Sequence, residues 1–177
     1  GTVAVDGRHH LLLEGISLVH GGGLEIDSDD GGGLYVVGST VQLRNCRFEG
    51  NFAGWKGGGV YAAQATIQID DCEFRSNGAS GHNDGCGAGG AIFTYQSDLQ
   101  ISGSEFIENE QLSNCGSGGG ALNCDASTLV VADCAFVRNS SYQSAGAIAL
   151  HSTTASIDGS IFEANVAANG SSLACAT

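Results

Sequence analysis

Several residue groups in this 177-residue chain have types and spacings that could do chemistry. Asp27-Ser28-Asp29-Asp30-Gly31 is the densest acidic loop, and Asn83-Asp84-Gly85 offers further oxygens. Hard oxygen ligands on a flexible loop are what calcium takes. The run lacks the spacing and closing glutamate of an EF-hand, so turn formation by Asp and Gly explains it equally well. A calcium ion on Asp27, Asp29 and Asp30 is the one cofactor these residues could support. The neighbours Asp70 and Asp71 raise sugar hydrolysis, which needs two carboxylates facing each other across a glycosidic bond. Adjacent strand residues point to opposite faces, however, so adjacency alone makes no pair. His9, His10, His20, His82 and His151 are dispersed, and no Ser-His-Asp arrangement can be built from them.

Seven cysteines with no C-x-x-C pair give zinc little support. Cys86 and Cys115 stand three and four residues before a glycine pair, and a disulfide between them is expected, closing two loops in an oxidising compartment. Cys46, Cys72 and Cys134 recur at one position of a repeat and read as small buried packing residues. A Cys46–Cys72 bridge is conceivable only if the strands there relax toward disulfide distances. Tyr35, Tyr61 and Phe93, with Tyr95 nearby, form an aromatic stripe, which is either a candidate binding surface or cross-coil packing under a loop or partner. Two glycosylation sequons begin at Asn139 and Asn169, and only Asn169 lies where a glycan could attach.

What must position these residues is a repeat. Leu34, Val60, Ile92, Leu122 and Ile148 each follow a glycine pair or Gly-Ala. Fourteen positions after each stands phenylalanine (Phe48, Phe74, Phe106, Phe136, Phe162), and three further on asparagine (Asn51, Asn77, Asn109, Asn139, Asn165). Only the stretch after the asparagine varies, so the phenylalanines fall 26, 32, 30 and 26 residues apart. A weaker copy at the start aligns Leu11, Leu13 and Leu18 with Val41, Leu43 and Phe48. Within each copy apolar residues alternate with period two, as in short strands with one buried face. Three short strands per copy, stacked in register, define an all-β fold: a right-handed parallel β-helix of about six coils. The phenylalanines and asparagines are then ladders inside the tube, the carboxamides satisfying backbone groups at a bend. Residues 1–30 form an irregular first coil and loop, 31–165 five regular coils, and 166–177 a C-terminal extension. Thr40, Thr66, Thr128 and Thr154 align with Asp98 in a column expected at a turn, too narrow for the threonine ranks of an ice-binding face.

The pairing of Gly-Gly-Ala-Ile (89–92) with Phe-Ile-Glu-Asn (106–109), and of Gly-Gly-Ala-Leu (119–122) with Phe-Val-Arg-Asn (136–139), resembles the repeats of polymorphic outer membrane proteins, the chlamydial-type autotransporter adhesins on the pectate-lyase-like β-helix. The resemblance implies a passenger segment exposed outside the cell, adhering or acting as a strut. Its partners would be other protein chains, further coils of a parent protein, or a cell-surface glycan or receptor.

Composition agrees with an ordered, acidic domain. Twenty-nine glycines without proline or a three-residue period exclude collagen. A formal charge of -13 argues against nucleic acid and anionic membranes as partners. No apolar run reaches a membrane span. Gly1-Thr2-Val3 shows neither initiator Met nor signal-peptide layout, so a fragment of a longer protein is expected. The same architecture carries polysaccharide lyases and hydrolases. Against that class stand the few, scattered basic residues Arg44, Arg47, Arg75 and Arg138. The expected role is a non-catalytic extracellular scaffold whose spacers meet partners, with the carbohydrate-active enzyme and the ice-binding β-helix as alternatives.

Overall fold

In the computed structural model, the structure describes residues 2–22, 30–81, 86–115 and 118–176. All of its named elements are strands, and every pairing between them is parallel. Each phenylalanine column residue pairs with its counterpart one coil away, Phe48↔Phe74↔Phe106↔Phe136↔Phe162. Repeats thus stack directly on one another as rungs of one solenoid. No helix among the described residues is long and apolar enough to cross a membrane.

Four sheets run along the axis, not three. Sheet A contains Leu34–Val37, Val60–Ala63, Ile92–Tyr95 and their equivalents; sheet B contains Thr40–Arg44, Thr66–Asp70, Asp98–Ser102 and theirs. Sheet C holds the phenylalanines in Arg47–Glu49, Glu73–Arg75 and Glu105–Ile107. Sheet D is made of two-residue strands directly after the asparagines: Phe52–Ala53, Gly78–Ala79, Glu110–Gln111, Ser140–Ser141 and Val166–Ala167. The sequence hides this fourth strand because two residues carry no periodicity. Five coils are complete in all four sheets, one fewer than expected. The first coil supplies only Val3–Asp6, His10–Glu14 and Ser17–Val19. Within the C-terminal extension, Val166–Ala167 closes the fifth complete coil and Ser171–Ala176 pairs with Ala145–His151.

The core is the inside of the tube. Phe48, Phe74, Phe106 and Phe136 are wholly buried and stack face to face at 4.7–4.8 Å between ring centroids. Leu43, Ile69, Ile101 and Val131 form a parallel aliphatic file.

Most corners follow one rule: a residue in the left-handed region, then a short polar side chain. At the B-to-C corner Asn45, Asp71, Gly103, Asp133 and Gly159 have φ between 48° and 58°. The residue that follows caps the bend. Ser104 Oγ donates to Ser102 O at 2.8 Å and accepts from Cys72 N–H at 3.0 Å, one coil earlier. Cys46, Cys72 and Cys134 use their thiols the same way, donating to Arg44 O, Asp70 O and Ala132 O. These cysteines are therefore serine equivalents at a turn as well as packing residues. At the A-to-B corner Ser97 and Ser127 do likewise after Gln96 and Ala126.

The C-to-D corner carries the asparagines. Asn109 Oδ1 accepts from Asn77 N–H at 3.0 Å and Asn77 Nδ2 at 2.9 Å, while its own Nδ2 donates to Phe74 O and to Asn139 Oδ1. The glycines repeating before sheet A have a steric cause. A Cβ on Gly90 would lie 2.6 Å from Glu110 N, and one on Gly120 2.7 Å from Ser140 N, because the sheet D backbone crosses there. Only glycine lets the two segments approach so closely.

Candidate functional site

The variable spacers all leave sheet D and return to sheet A, so they gather at one edge. Two devices fix them. Cys86 and Cys115 form the expected disulfide, with Cα atoms 5.2 Å apart, joining the spacers of two successive coils. Beneath it lies Gln111, which is 1% exposed. Its Nε2 donates to Gly87 O at 2.9 Å and to Ser113 O at 2.8 Å. Its Oε1 accepts from Ser141 Oγ at 2.9 Å, and that hydroxyl also donates to Gly118 O. One carboxamide thus ties three consecutive spacers together. Sequence reasoning missed it, because its register partners are Ala79 and Ser141 and the column shows no pattern. Over this support opens a hollow of about 530 Å³, lined by Ser80, Leu112, Ser113, Asn114 and Tyr142 beside the disulfide.

The aromatic stripe is built differently from the expected open surface. Tyr35 and Tyr61 stack with centroids 5.2 Å apart and planes 7° apart, and Phe93 continues the stack 5.6 Å beyond. Phe93 is 3% exposed, with Lys56 Nζ 4.5 Å above its ring, so it packs within the stripe and presents no open face. Tyr35 and Tyr61 are half-buried with their faces turned to their neighbours, and only Tyr95 stands exposed. Burial, then the nearby Asp30 and Tyr35, pushes the Tyr61 hydroxyl up to about 12.

Asp27, Asp29, His82 and residues 83–85 lie outside the described residues. Asp30 is described, and its Oδ1 accepts from Lys56 N–H at 3.1 Å, an ordinary turn bond. Among the described residues no three His, Cys, Asp or Glu side chains are grouped to hold a metal ion.

Asp70 and Asp71 do not face one another. Asp70 lies on the outer face of sheet B, accepting from Ser102 Oγ at 2.7 Å and Gln68 Nε2 at 2.9 Å with Arg44 Nε at 3.8 Å. Asp71 sits in the left-handed corner, φ 51°. On sheet C, Arg47 bridges Glu49 and Glu73, and Arg75 pairs with Glu73 at 2.6 Å, which raises the guanidinium above its ordinary value. Glu108 is held by Arg138 at 2.8 Å. These carboxylates are matched to cations or hydroxyls of their own or adjacent coils.

Burial pushes the Cys72 thiol up to about 12 and that of Cys124 to about 11, and raises Cys134 as well. Such thiols are inert, since the thiolate is the nucleophile. The threonine column lies not in a turn but at the first position of each sheet B strand, interrupted by Asp98. Asn139 is wholly buried within its ladder, whereas Asn169 is exposed in the turn before the final strand.

A family model described as a right handed beta helix region matches residues 9–176. No curated protein and no solved structure matches the chain.

Proposed function

From the premise that this chain belongs to the right-handed β-helix family, we propose that it is a non-catalytic extracellular scaffold, adhesin-like, which meets partner surfaces through its spacer edge. The observation that carries the reading is the fixing of that edge. A disulfide and a buried carboxamide brace loops that contribute nothing to the Phe and Asn ladders, and bracing loops lowers the ordering entropy lost on binding. The disulfide suits an oxidising, extracellular compartment. The likeness of the Gly-Gly-Ala-Ile and Phe-x-x-Asn motifs to polymorphic outer membrane protein repeats supports the adhesin reading over a bare strut. Against an enzyme stand the outward carboxylates Asp70, Glu49, Glu73 and Glu108, each in a hydrogen bond or ion pair of the tube's own surface.

The test is adhesion of fluorescent protein to cells, run beside incubation with polygalacturonate, xylan and cellulose. Saturable adhesion with no sugar released is expected. Turnover of any of these polymers, or no adhesion to any cell type presented, would reject the proposal.

A further inference from the structure

We propose that the hollow beside the Cys86–Cys115 bridge binds a neutral saccharide; this rests on the surface-contact reading above and gives it a ligand class. Three consecutive spacers build the site: Ser80 from one, Leu112 to Asn114 from the next, Tyr142 from the third. Its volume of about 530 Å³ lies within the range of small-ligand sites.

The lining chemistry matches a sugar ring, which has an apolar C–H face and a rim of hydroxyls. Tyr142 is 58% exposed and Leu112 38%, so both present apolar surface to the hollow. The Tyr142 ring offers a flat face, while its hydroxyl and the Asn114 carboxamide both donate and accept hydrogen bonds. The half-buried Ser80 adds a further polar group, while Ser113 is buried with its hydroxyl bonded to Cys115. Among the described residues no charged side chain lines the hollow, and the chain as a whole carries -13. Uronates and sulfated sugars would meet repulsion without a compensating cation. A wholly apolar peptide would cover the Asn114 amide without offering it a partner. Gln111 is the positioning residue, holding the Gly87 and Ser113 backbones directly and the Gly118 carbonyl through the Ser141 hydroxyl.

The experiment titrates the full chain with cellotetraose, chitotetraose, mannotetraose and galactotetraose, with polygalacturonate and heparin as anionic controls. At least one neutral oligosaccharide should bind and the polyanions should not. Tyr142→Ala should weaken that binding about tenfold through loss of the ring face. It should leave the thermal midpoint unchanged, since the residue is exposed and its backbone bond to Gln111 O persists. Tyr95→Ala, elsewhere on the surface, should have no effect on affinity. Binding of none of the four sugars, preference for the polyanions, or a Tyr142→Ala affinity equal to wild type would overturn the assignment. Wild-type adhesion to cells that survives Tyr142→Ala would remove the saccharide site and leave the scaffold reading. Cleavage of a sugar that still depends on Tyr142 would do the reverse.

Discussion

Replacing Asn109 with alanine should destabilise the protein far more than a single polar residue usually does. The side chain is wholly buried and takes part in four hydrogen bonds, two given and two received. Truncation leaves Asn77 N–H and Phe74 C=O, both backbone groups at a buried corner, without the partners this amide supplies. Each such orphan costs about 1–3 kcal/mol, so the loss should be about 2–6 kcal/mol before the small cavity is added. That is a large fraction of the roughly 5–15 kcal/mol that holds a typical domain. Asn165→Ala is the internal control. It occupies the same column but is half-buried in the last complete coil, where water reaches the exposed groups, and about 1–2 kcal/mol is expected there. Asn109→Asp keeps the acceptors but cannot donate to Phe74 O while ionised. It should be as damaging as alanine at neutral pH and recover partly in acid, when the protonated carboxyl regains a donor. Urea unfolding followed by circular dichroism reads all three. An Asn109→Ala midpoint equal to that of Asn165→Ala would refute the view that the ladder satisfies otherwise orphaned backbone.

Gly90→Ala should unfold the middle of the solenoid or prevent soluble expression, because its methyl group would press on the Glu110 backbone; normal expression and melting would contradict the close-approach argument. Cys86→Ser with Cys115→Ser should lose at most about 3–4 kcal/mol, the loop-entropy value for a separation of 29 residues. The loss should appear as faster proteolysis within 78–118 and not as disruption of the Phe ladder. Iodoacetamide at pH 8 should leave Cys46, Cys72, Cys124 and Cys134 unmodified in the native protein and label all four in urea, as mass spectrometry would show. Thiols and a phenol whose folded values are raised hold the protein most strongly below their ordinary values. Stability should therefore fall as pH climbs from about 9 toward 12 through Cys72, Cys124 and Tyr61, seen as a declining melting temperature with late tyrosinate absorbance.

The tube was legible in the sequence because its ladders are made of residues with a single best position. Phe74 or Asn77 recurs unchanged since a neighbour of the same shape lies one rung away, and repetition reveals the stacking without any coordinates. The Cys86–Cys115 bond was legible for the same reason: both cysteines keep a near-constant distance from a glycine pair that fixes the register. Sheet D was not, because Glu110–Gln111 and its equivalents share neither residue type nor alternation. Gln111 escaped notice in consequence. The surroundings of Phe93 stayed open because strand alternation assigns an outward face but says nothing of what folds over it; here Lys56 does. The threonine column moved from turn to strand because the left-handed residue falls two positions before it, at Gln64, Gln96 and Ala126, and the strand begins sooner than the small polar residues suggest.

Every spacer departs from sheet D and rejoins sheet A through the same glycine, whatever its length. Insertions there leave the stacking of the neighbouring rungs untouched, and loop closure grows only slowly with added residues. Mutation can therefore redraw this flank freely while the barrel of ladders stays as it is. The length and sequence of this flank can thus vary while the inward files that make the chain foldable are kept.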